Sequence, residues 1–491
     1  MAKADLEYRL GETLDSIPFG RFHVCVIAIL SLVGYTEAYD TAVTGSLIVL
    51  ARQPLDLTAQ DITWLIVGPT AVLCGSMLFG SVISDRFSRK SILLIGVIIS
   101  TLFTLVLPLA ATPRQLIVMR LLAGVGFGLA LPAAYPLGAE LLPAKHRRTF
   151  GCVYEIVLAF AFTTIPLFGY LAGDSLSAWK IVPLPGGLML FIVPPLVYFF
   201  IPESPRLYMM RGQFGLAVRE ANKIILRSGA GITPLSVDAE ASSSPLPARL
   251  PPYSAVFGPN QIRATLVATL TWLSALVSYY LFSFMLPKAL VDQGYAVQLS
   301  FGLSTLLFLV AIPGRILNAY MMERLGRRLT IFVALSSSVV GLFLMVIAHS
   351  LAGTTFGVAA PTLTFTIGVV IAGLTVLSCF PAVRMYMTEQ FPTNIRGRGY
   401  FLSEMTGRAV AGIAIPYLMA GHTASPTIFF GTVLVFAIVG AVVPVLFGRE
   451  TRGQLELVTA TDRCSVAAEA AIRSDATASS SGGWSKSRTC G

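Results

Sequence analysis

Apolar stretches of about 20 residues recur along most of this chain. A helix of that length crosses the hydrocarbon core of a bilayer. Only 12% of the 491 residues are charged and 55% are hydrophobic, whereas about 25% of residues are charged in a soluble protein. So few charged groups cannot cover a surface that faces water. We therefore predict an all-α membrane protein with twelve transmembrane helices.

The apolar stretches form two series of six, separated by a polar interval. The first series is predicted at 23–48, 62–84, 91–111, 115–139, 150–172 and 182–201. The second series is predicted at 264–287, 298–321, 329–350, 360–388, 399–420 and 427–447. The predicted domains are an N-terminal six-helix half (1–202), a cytoplasmic linker with short helices (203–262), a C-terminal six-helix half (263–450) and a disordered cytoplasmic tail (451–491).

Basic residues cluster in alternate connections between the predicted helices. They are Arg86, Arg89, Lys90, Lys145, Arg147, Arg148, Arg324, Arg327, Arg328, Arg396 and Arg398. Because cytoplasmic loops carry an excess of Lys and Arg, both termini are predicted in the cytoplasm of a plasma or bacterial inner membrane. The net charge of +10 then reflects topology, and no basic stripe indicates nucleic-acid binding.

The reactive residue types are scattered along the chain. The six cysteines form no CxxC pair, and the four histidines form no HExxH motif. Neither a phosphate-binding glycine loop nor a nucleophile elbow occurs. The sequence therefore predicts no metal, no cofactor and no enzymatic activity.

Three polar motifs occur twice, about 240 to 250 residues apart, which indicates a duplicated half. The paired motifs are Asp85–Lys90 with Glu323–Arg328, Glu140–Arg147 with Glu389–Arg396, and Pro202–Arg206 with Arg449–Gly453. Their charges are predicted to pair across the two halves as a cytoplasmic gate, although they could instead only fix topology. The gate candidates are Asp85, Arg86, Arg89, Glu140, Arg147, Glu203, Arg206, Glu323, Arg324, Arg327, Arg328, Glu389, Arg396 and Glu450.

Two acids lie three residues apart near the middle of the first predicted helix, Glu37 and Asp40. An ionised carboxylate in hydrocarbon costs several kcal/mol, so each acid must face a cavity, meet a cation or hold a proton. Burial and mutual repulsion both favour the protonated form of a carboxyl group. We predict that both acids couple transport to protons. The alternative is a structural role inside the bundle.

Four arginines fall within predicted helices: Arg120, Arg315, Arg384 and Arg408. A buried guanidinium can bind a substrate carboxylate through two hydrogen bonds, and Arg408 and Arg120 are the candidates. Arg408 could equally be paired with Glu404, one turn earlier, or with one of the two acids in the first helix. Arg315 and Arg384 lie nearer the cytoplasmic ends and are assigned to the gate. No role follows for Glu155.

Aromatic residues concentrate in the seventh predicted helix, where Tyr279 and Tyr280 lie away from the interfacial belt. A buried phenol needs a hydrogen-bond partner, which a cavity can supply. Tyr279, Tyr280 and Trp272 are therefore candidate substrate-binding residues, unless they only pack against lipid or other helices.

From about residue 18 to 456 the chain resembles the major facilitator superfamily. Pro202–Arg206 and Glu450–Glu456 are similar to motifs of its sugar-porter-like and metabolite:proton symporter branches, and Phe19–His23 with Gly34–Asp40 resembles its aromatic-acid and niacin symporters. In those symporters the first helix carries a D-G-x-D pattern, which favours Asp40 over Glu37 as the coupling acid. Ser81 and Ser88 stand where the family loop usually has glycines.

The resemblance implies two pseudo-symmetric six-helix bundles that expose a central site alternately to each side of the membrane. We predict a proton-coupled symporter for a small organic acid, in particular an aromatic acid, that functions as a monomer. The alternatives are a sugar or polyol porter, a drug or metabolite efflux antiporter, and a non-transporting membrane sensor.

Overall fold

Helices make up nearly all the regular structure of the protein in a computed structural model. The structure describes residues 10–86, 88–172, 175–229, 233–235, 253–259, 261–292, 294–350, 359–391, 395–419 and 425–451. Within these ranges it leaves out the side chains of 81–86, 139, 144, 148, 210, 253, 349–350, 359–361, 396–397 and 426. The chain divides into a compact unit, Met1–Arg449, and a C-terminal unit, Glu450–Gly491. The predicted tail lies almost wholly outside the described residues.

The long helices follow the two predicted series. The first six are α1 (Arg21–Leu50), α2 (Ala59–Arg86), α3 (Arg89–Val106), α4 (Pro113–Leu141), α5 (Arg147–Ala172) and α6 (Ala178–Ile181, Leu184–Leu188 and Val193–Phe200). The second six are α7 (Ile262–Tyr280, Leu281–Met285 and Leu286–Asp292), α8 (Val297–Leu325), α9 (Arg327–Ser350), α10 (Ala359–Thr375 and Phe380–Glu389), α11 (Arg396–Ala409, Val410–Ala414 and Ile415–Met419) and α12 (Pro426–Phe447). Two shorter helices, Pro205–Met210 and Phe214–Ser228, lie in the predicted linker.

Eleven of these helices are long and apolar enough to cross a membrane, as judged over the described residues. The remaining helix, α11, is less apolar because it carries Arg398, Glu404 and Arg408. Glu404 and Arg408 are nevertheless only 1% and 4% exposed. These two charges therefore contact other helices, and α11 occupies the position of the predicted span 399–420.

Large apolar side chains cover much of the outer surface of the helices. Phe79, Leu109 and Leu171 are each at least 68% exposed, and many other Leu, Ile and Phe side chains are more than a third exposed. Extended exposed apolar surface marks a region that contacts lipid or another protein. Lipid is the expected neighbour of helices with this length and composition.

Short polar motifs start several of the helices. Ser88 and Thr112 accept hydrogen bonds from the backbone N–H groups of Ser91 (3.0 Å) and Gln115 (3.3 Å), and so cap α3 and α4. In the second copy of the motif, Gly326 occupies the position of Ser88 and has a φ of +86°, which favours glycine. The backbone of Ser88 has a φ of −61°, so the first copy does not need glycine there.

Several of the long helices are interrupted or irregular along their length. Prolines and glycines between Val182 and Pro195 divide α6 into short pieces, since proline removes a backbone donor from a helix. Both α7 and α11 contain a π-helical turn, at Leu281–Met285 and Val410–Ala414. Such turns frequently occur at functional sites. The two π turns follow Tyr280 and Arg408 closely, which places these side chains at the irregular part of the fold.

Helices α3 and α4 pack backbone to backbone through two glycines. A Cβ atom added to Gly126 would lie 2.5 Å from the carbonyl oxygen of Gly96 and 2.5 Å from the backbone nitrogen of Ser100. We expect Gly126→Val to lower the free energy of unfolding by about 1–3 kcal/mol, because backbone atoms must move apart. Thermal melting of the detergent-purified protein measures this, with Gly75→Val as the control, since its added Cβ meets no atom within 4 Å. Equal melting temperatures for the two variants would contradict this packing.

Candidate functional site

Among the described residues, eight Asp, Glu and Arg side chains are buried more than one turn from any helix end. They are Glu37, Asp40, Arg120, Glu155, Arg315, Arg384, Glu404 and Arg408. Each is at most 7% exposed, and the four carboxylates balance the four guanidinium groups in formal charge. A buried charge must be paired, because its transfer out of water is costly. The eight side chains accordingly form three ion clusters.

The first cluster is the Asp40 pair, which joins Asp40 on α1 to Arg120 on α4. Nη1 of Arg120 donates to Oδ1 of Asp40, and Nη2 donates to the Asp40 carbonyl oxygen (2.9 Å) and to Oγ1 of Thr44 (2.7 Å). The hydroxyl of Thr104 also donates to Oδ1 of Asp40 (2.6 Å). In the described part of the chain Nε of Arg120 has no partner, although it is buried. The guanidinium thus keeps one hydrogen-bond donor for another group.

The second cluster is the Arg408 triad, in which Arg408 on α11 lies between two carboxylates. Its Nε donates to Oε1 of Glu404 (2.7 Å) and its Nη2 donates to Oε1 of Glu37 on α1 (3.0 Å). Nη1 lies 3.4 Å from the hydroxyl of Tyr280. Oε2 of Glu404 is buried and has no partner among the described atoms. With both carboxylates ionised the triad has a formal charge of −1, and it connects the first half to the second.

The third cluster is the Glu155 triad, to which sequence analysis assigned no role. Glu155 on α5 accepts from Nε of Arg384 on α10 (2.5 Å) and from Nη1 of Arg315 on α8 (3.2 Å). Nη1 of Arg315 also donates to the Glu155 carbonyl oxygen. This triad has a formal charge of +1 and also connects the two halves. Arg315 and Arg384 therefore contact a buried acid of the first half, and their assignment to the gate stays a prediction.

Aromatic rings surround the Arg408 triad. The rings of Tyr279 and Tyr280 lie 5.0 Å apart, and Phe284 and Phe162 contact them at 5.0 and 4.9 Å. A cavity lies beside the Asp40 pair. Its lining includes Asp40, Thr70, Arg120, Tyr280 and Phe284. A guanidinium group and several ring faces beside one cavity are the chemistry that binds an aromatic carboxylate.

The candidates from sequence are distributed between the clusters. Glu37 and Asp40 share a helix face but contact different arginines, Arg408 and Arg120. Tyr280 contacts Arg408 and lines the cavity, while Tyr279 packs beside it. Trp272 lies instead against the Glu155 triad, with its ring centroid 4.8 Å from the Arg384 guanidinium.

Equivalent ion pairs occur at the loop end of each half, between residues of the repeated motifs. Arg89 pairs with Glu140 at the start of α3, and Arg327 binds both carboxylate oxygens of Glu389 at 3.1 and 3.2 Å at the start of α9. Glu203 lies beside the Arg89–Glu140 pair and accepts hydrogen bonds from the Ser88 hydroxyl and from the backbone N–H of Lys90. These pairs join elements of the same half, so the cross-half latch stays a prediction for the loop charges.

The other gate candidates have varied surroundings. Arg147 donates to Asp15 at 3.3 Å, Nε of Arg328 donates to the Pro444 carbonyl oxygen at 3.0 Å, and Arg324 lies over the Tyr320 ring. Arg206 is half-buried and Glu323 is exposed. In the C-terminal unit Glu450 accepts from the backbone N–H of Thr451 at 3.0 Å. The side chains of Asp85, Arg86 and Arg396 lie outside the described residues.

Comparison with known proteins places this geometry in context. A family model described as Major Facilitator Superfamily matches residues 30–416. The chain is 26% identical over 451 residues to the niacin transporter NiaP of Acinetobacter baylyi, covering 90% of this chain and 97% of that protein. It is 24% identical to the 4-hydroxybenzoate transporter PcaK of the same organism, covering 87% of this chain and 92% of that one. A gallate transporter of Pseudomonas putida is 26% identical, with 87% and 91% covered.

Solved structures share the fold at lower identity. A proton:xylose symporter, XylE, bound to 6-bromo-6-deoxy-D-glucose superposes with a TM-score of 0.66 at 16% identity, covering 88% of this chain and 97% of that one. A partially occluded, inward-open structure of XylE from E. coli gives a TM-score of 0.65 at 15% identity, with 88% and 99% covered. At this identity the likeness shows the arrangement of helices alone.

Proposed function

The chain belongs to the Major Facilitator Superfamily and is therefore a membrane transporter rather than an enzyme, and we propose that it imports a small aromatic carboxylic acid together with a proton. Transport proceeds by alternating access, with the Arg408 triad as the site that receives the carboxylate. The observation that carries this proposal is that one buried guanidinium is shared by two carboxylates beside aromatic rings.

A substrate carboxylate at Arg408 would add a second excess negative charge to the triad. Two like charges 4 Å apart repel by about 4 kcal/mol at an effective dielectric constant of 20. That repulsion disappears if Glu37 or Glu404 takes up a proton as the substrate binds. Charge balance at Arg408 thus favours the entry of one proton with each monocarboxylate.

Proton uptake would also loosen a contact between the two halves. Glu37 belongs to α1 and Arg408 to α11, and their 3.0 Å contact weakens once Glu37 is neutral. The substrate carboxylate replaces it on the guanidinium. Protonation of Glu37 thereby weakens the contact between α1 and α11. Alternating access requires that contacts between the two halves form and break in this way.

We assign the uptake of the proton from the outer side to the Asp40 pair. Asp40 lies one turn beyond Glu37 on α1 and borders the cavity that Tyr280 also lines. Protonation of Asp40 would free Arg120, whose Nε already lacks a partner in the described structure. The names of the relatives support the substrate class, because niacin, 4-hydroxybenzoate and gallate each carry a carboxyl group on an aromatic ring.

Uptake of radiolabelled 4-hydroxybenzoate and nicotinate into proteoliposomes tests the proposal. With an inside-alkaline pH gradient we expect accumulation of about tenfold for each pH unit, since one proton carries about 1.4 kcal/mol per unit. A protonophore is the control and should abolish accumulation. Uptake that is the same with and without the gradient would contradict proton coupling.

A competition panel separates the remaining functions. Benzoate, nicotinate and gallate should inhibit uptake, whereas xylose and polyols should not, because a neutral sugar gains nothing from the Arg408 charge. Inhibition by sugars alone would favour the sugar or polyol porter. Flux that runs only outward against an inward proton gradient would favour an efflux antiporter, and binding without flux would favour a sensor.

A further inference from the structure

A second cavity lies between α4, α5 and α10. Tyr135, Cys152, Glu155, Arg384 and Met385 are among the residues that line it. Glu155 is near the start of α5 and Arg384 near the end of α10, so the cavity lies toward the predicted cytoplasmic loops. The Asp40 pair and its cavity lie on the opposite side of the Arg408 triad. A ligand moving along the bundle would therefore meet the two cavities in succession.

The charge of the Glu155 triad suits an anion. Two guanidinium groups share one carboxylate, which leaves one positive charge in excess. In the resting protein this excess is balanced by the −1 charge of the Arg408 triad. An anion beside Arg384 would pair directly with the excess positive charge of this triad.

The surroundings of Arg384 suit an aromatic anion. Its guanidinium lies 4.8 Å from the Trp272 ring centroid and 5.8 Å from that of Tyr135, and Nη1 donates to the Tyr400 hydroxyl at 2.9 Å. Cation–π contacts hold the guanidinium in place without neutralising it. The Tyr135 ring borders the cavity and offers a face to a substrate ring.

We propose that this second cavity is a separate binding site for an aromatic carboxylate, occupied after Arg408 on the way to the cytoplasm. Arg384 holds the carboxylate and Tyr135 contacts the ring. The site contains its own cation, so it binds the anion without the Arg408 triad. The identity of its ligand rests on the proposed function, whereas the binding itself is measured without transport.

Alkylation of Cys152 tests the proposal, because this half-buried thiol lines the cavity. The other cysteines, Cys25, Cys74, Cys379, Cys464 and Cys490, are replaced by serine, and the rate of N-ethylmaleimide labelling is measured with the ligand on both sides of the membrane. We expect saturating benzoate to slow labelling at least about fivefold, while benzamide, which has no charge, does not. This comparison needs no substitution at the site.

Three variants distinguish direct binding of the ligand in this cavity from a conformational change triggered by ligand binding at Arg408. In Arg408→Gln, benzoate should still protect Cys152, whereas in Arg384→Gln protection should be lost and in Arg384→Lys partly retained. Protection that survives Arg384→Gln, or that requires Arg408, would overturn the second site. Equal protection by benzamide would do the same. If the proposed function is wrong, the proteoliposome experiment shows it, because uptake is then the same with and without the pH gradient.

Discussion

Asp40→Asn is expected to abolish accumulation of substrate driven by a pH gradient while leaving exchange of internal for external substrate intact. An amide keeps hydrogen bonds to Thr104 and Arg120 but cannot take up and release a proton. Steps that require a deprotonated Asp40 stop, and steps that carry a bound proton throughout continue. The accumulation ratio, measured in proteoliposomes, should therefore fall to about 1, because no coupling free energy remains.

The exchange measurement shows whether the Asp40→Asn protein is folded, since a misfolded transporter would lose both activities. Asp56→Asn is a matched control, because Asp56 is exposed and its positive φ of 49° suits Asn as well as Asp. That variant should accumulate substrate as the parent does. Full accumulation by Asp40→Asn would remove Asp40 from the coupling mechanism.

Arg408→Gln is expected to weaken binding of an aromatic carboxylate by about thirtyfold or more. Loss of one partner from a buried, hydrogen-bonded charge pair costs about 2–5 kcal/mol, and 1.4 kcal/mol corresponds to a factor of ten. Without the guanidinium, Glu37 and Glu404 also lie next to each other with no cation between them. The effect is measured as binding of radiolabelled 4-hydroxybenzoate to the purified protein, at ligand concentrations that fill only the higher-affinity site.

Arg408→Lys should recover part of the affinity, because it restores the charge without the two-pronged geometry of arginine. Arg114→Gln serves as the control, since Arg114 is an exposed residue at the start of α4. If Arg408→Gln binds the carboxylate as tightly as Arg114→Gln does, Arg408 is not the substrate's partner.

The helices could be predicted from the sequence because a span needs only local information. About 20 apolar residues mark each helix, and even α11 is found where its weaker apolar run indicates. The repeated motifs also indicated which charges lie at the loop end of each half, since a local pattern is sufficient for that. Their pairing was predicted across the halves, whereas Arg89 pairs with Glu140 and Arg327 with Glu389 inside one half.

The sequence named Glu404 and the first-helix acids as candidate partners of Arg408, and Arg408 contacts Glu404 and Glu37. It could not decide which partner each buried charge takes, because that depends on which helices pack together. Glu37 and Arg408 are 371 residues apart, and Glu155 and Arg384 are 229 apart. Asp40 and Glu37 lie on one face of the same predicted helix, yet they contact different arginines. No role could be predicted for Glu155, because only the packing of α5 against α8 and α10 brings two guanidinium groups into contact with it.

In the proposed mechanism a substrate carboxylate binds at the Arg408 triad only together with a proton. The most direct measurement is proton uptake during titration of the detergent-purified protein with 4-hydroxybenzoate in weak buffer. We expect about one proton to be taken up for each carboxylate bound at the higher-affinity site, and none with an uncharged analogue. Saturable binding of the carboxylate with no proton uptake would contradict the claim.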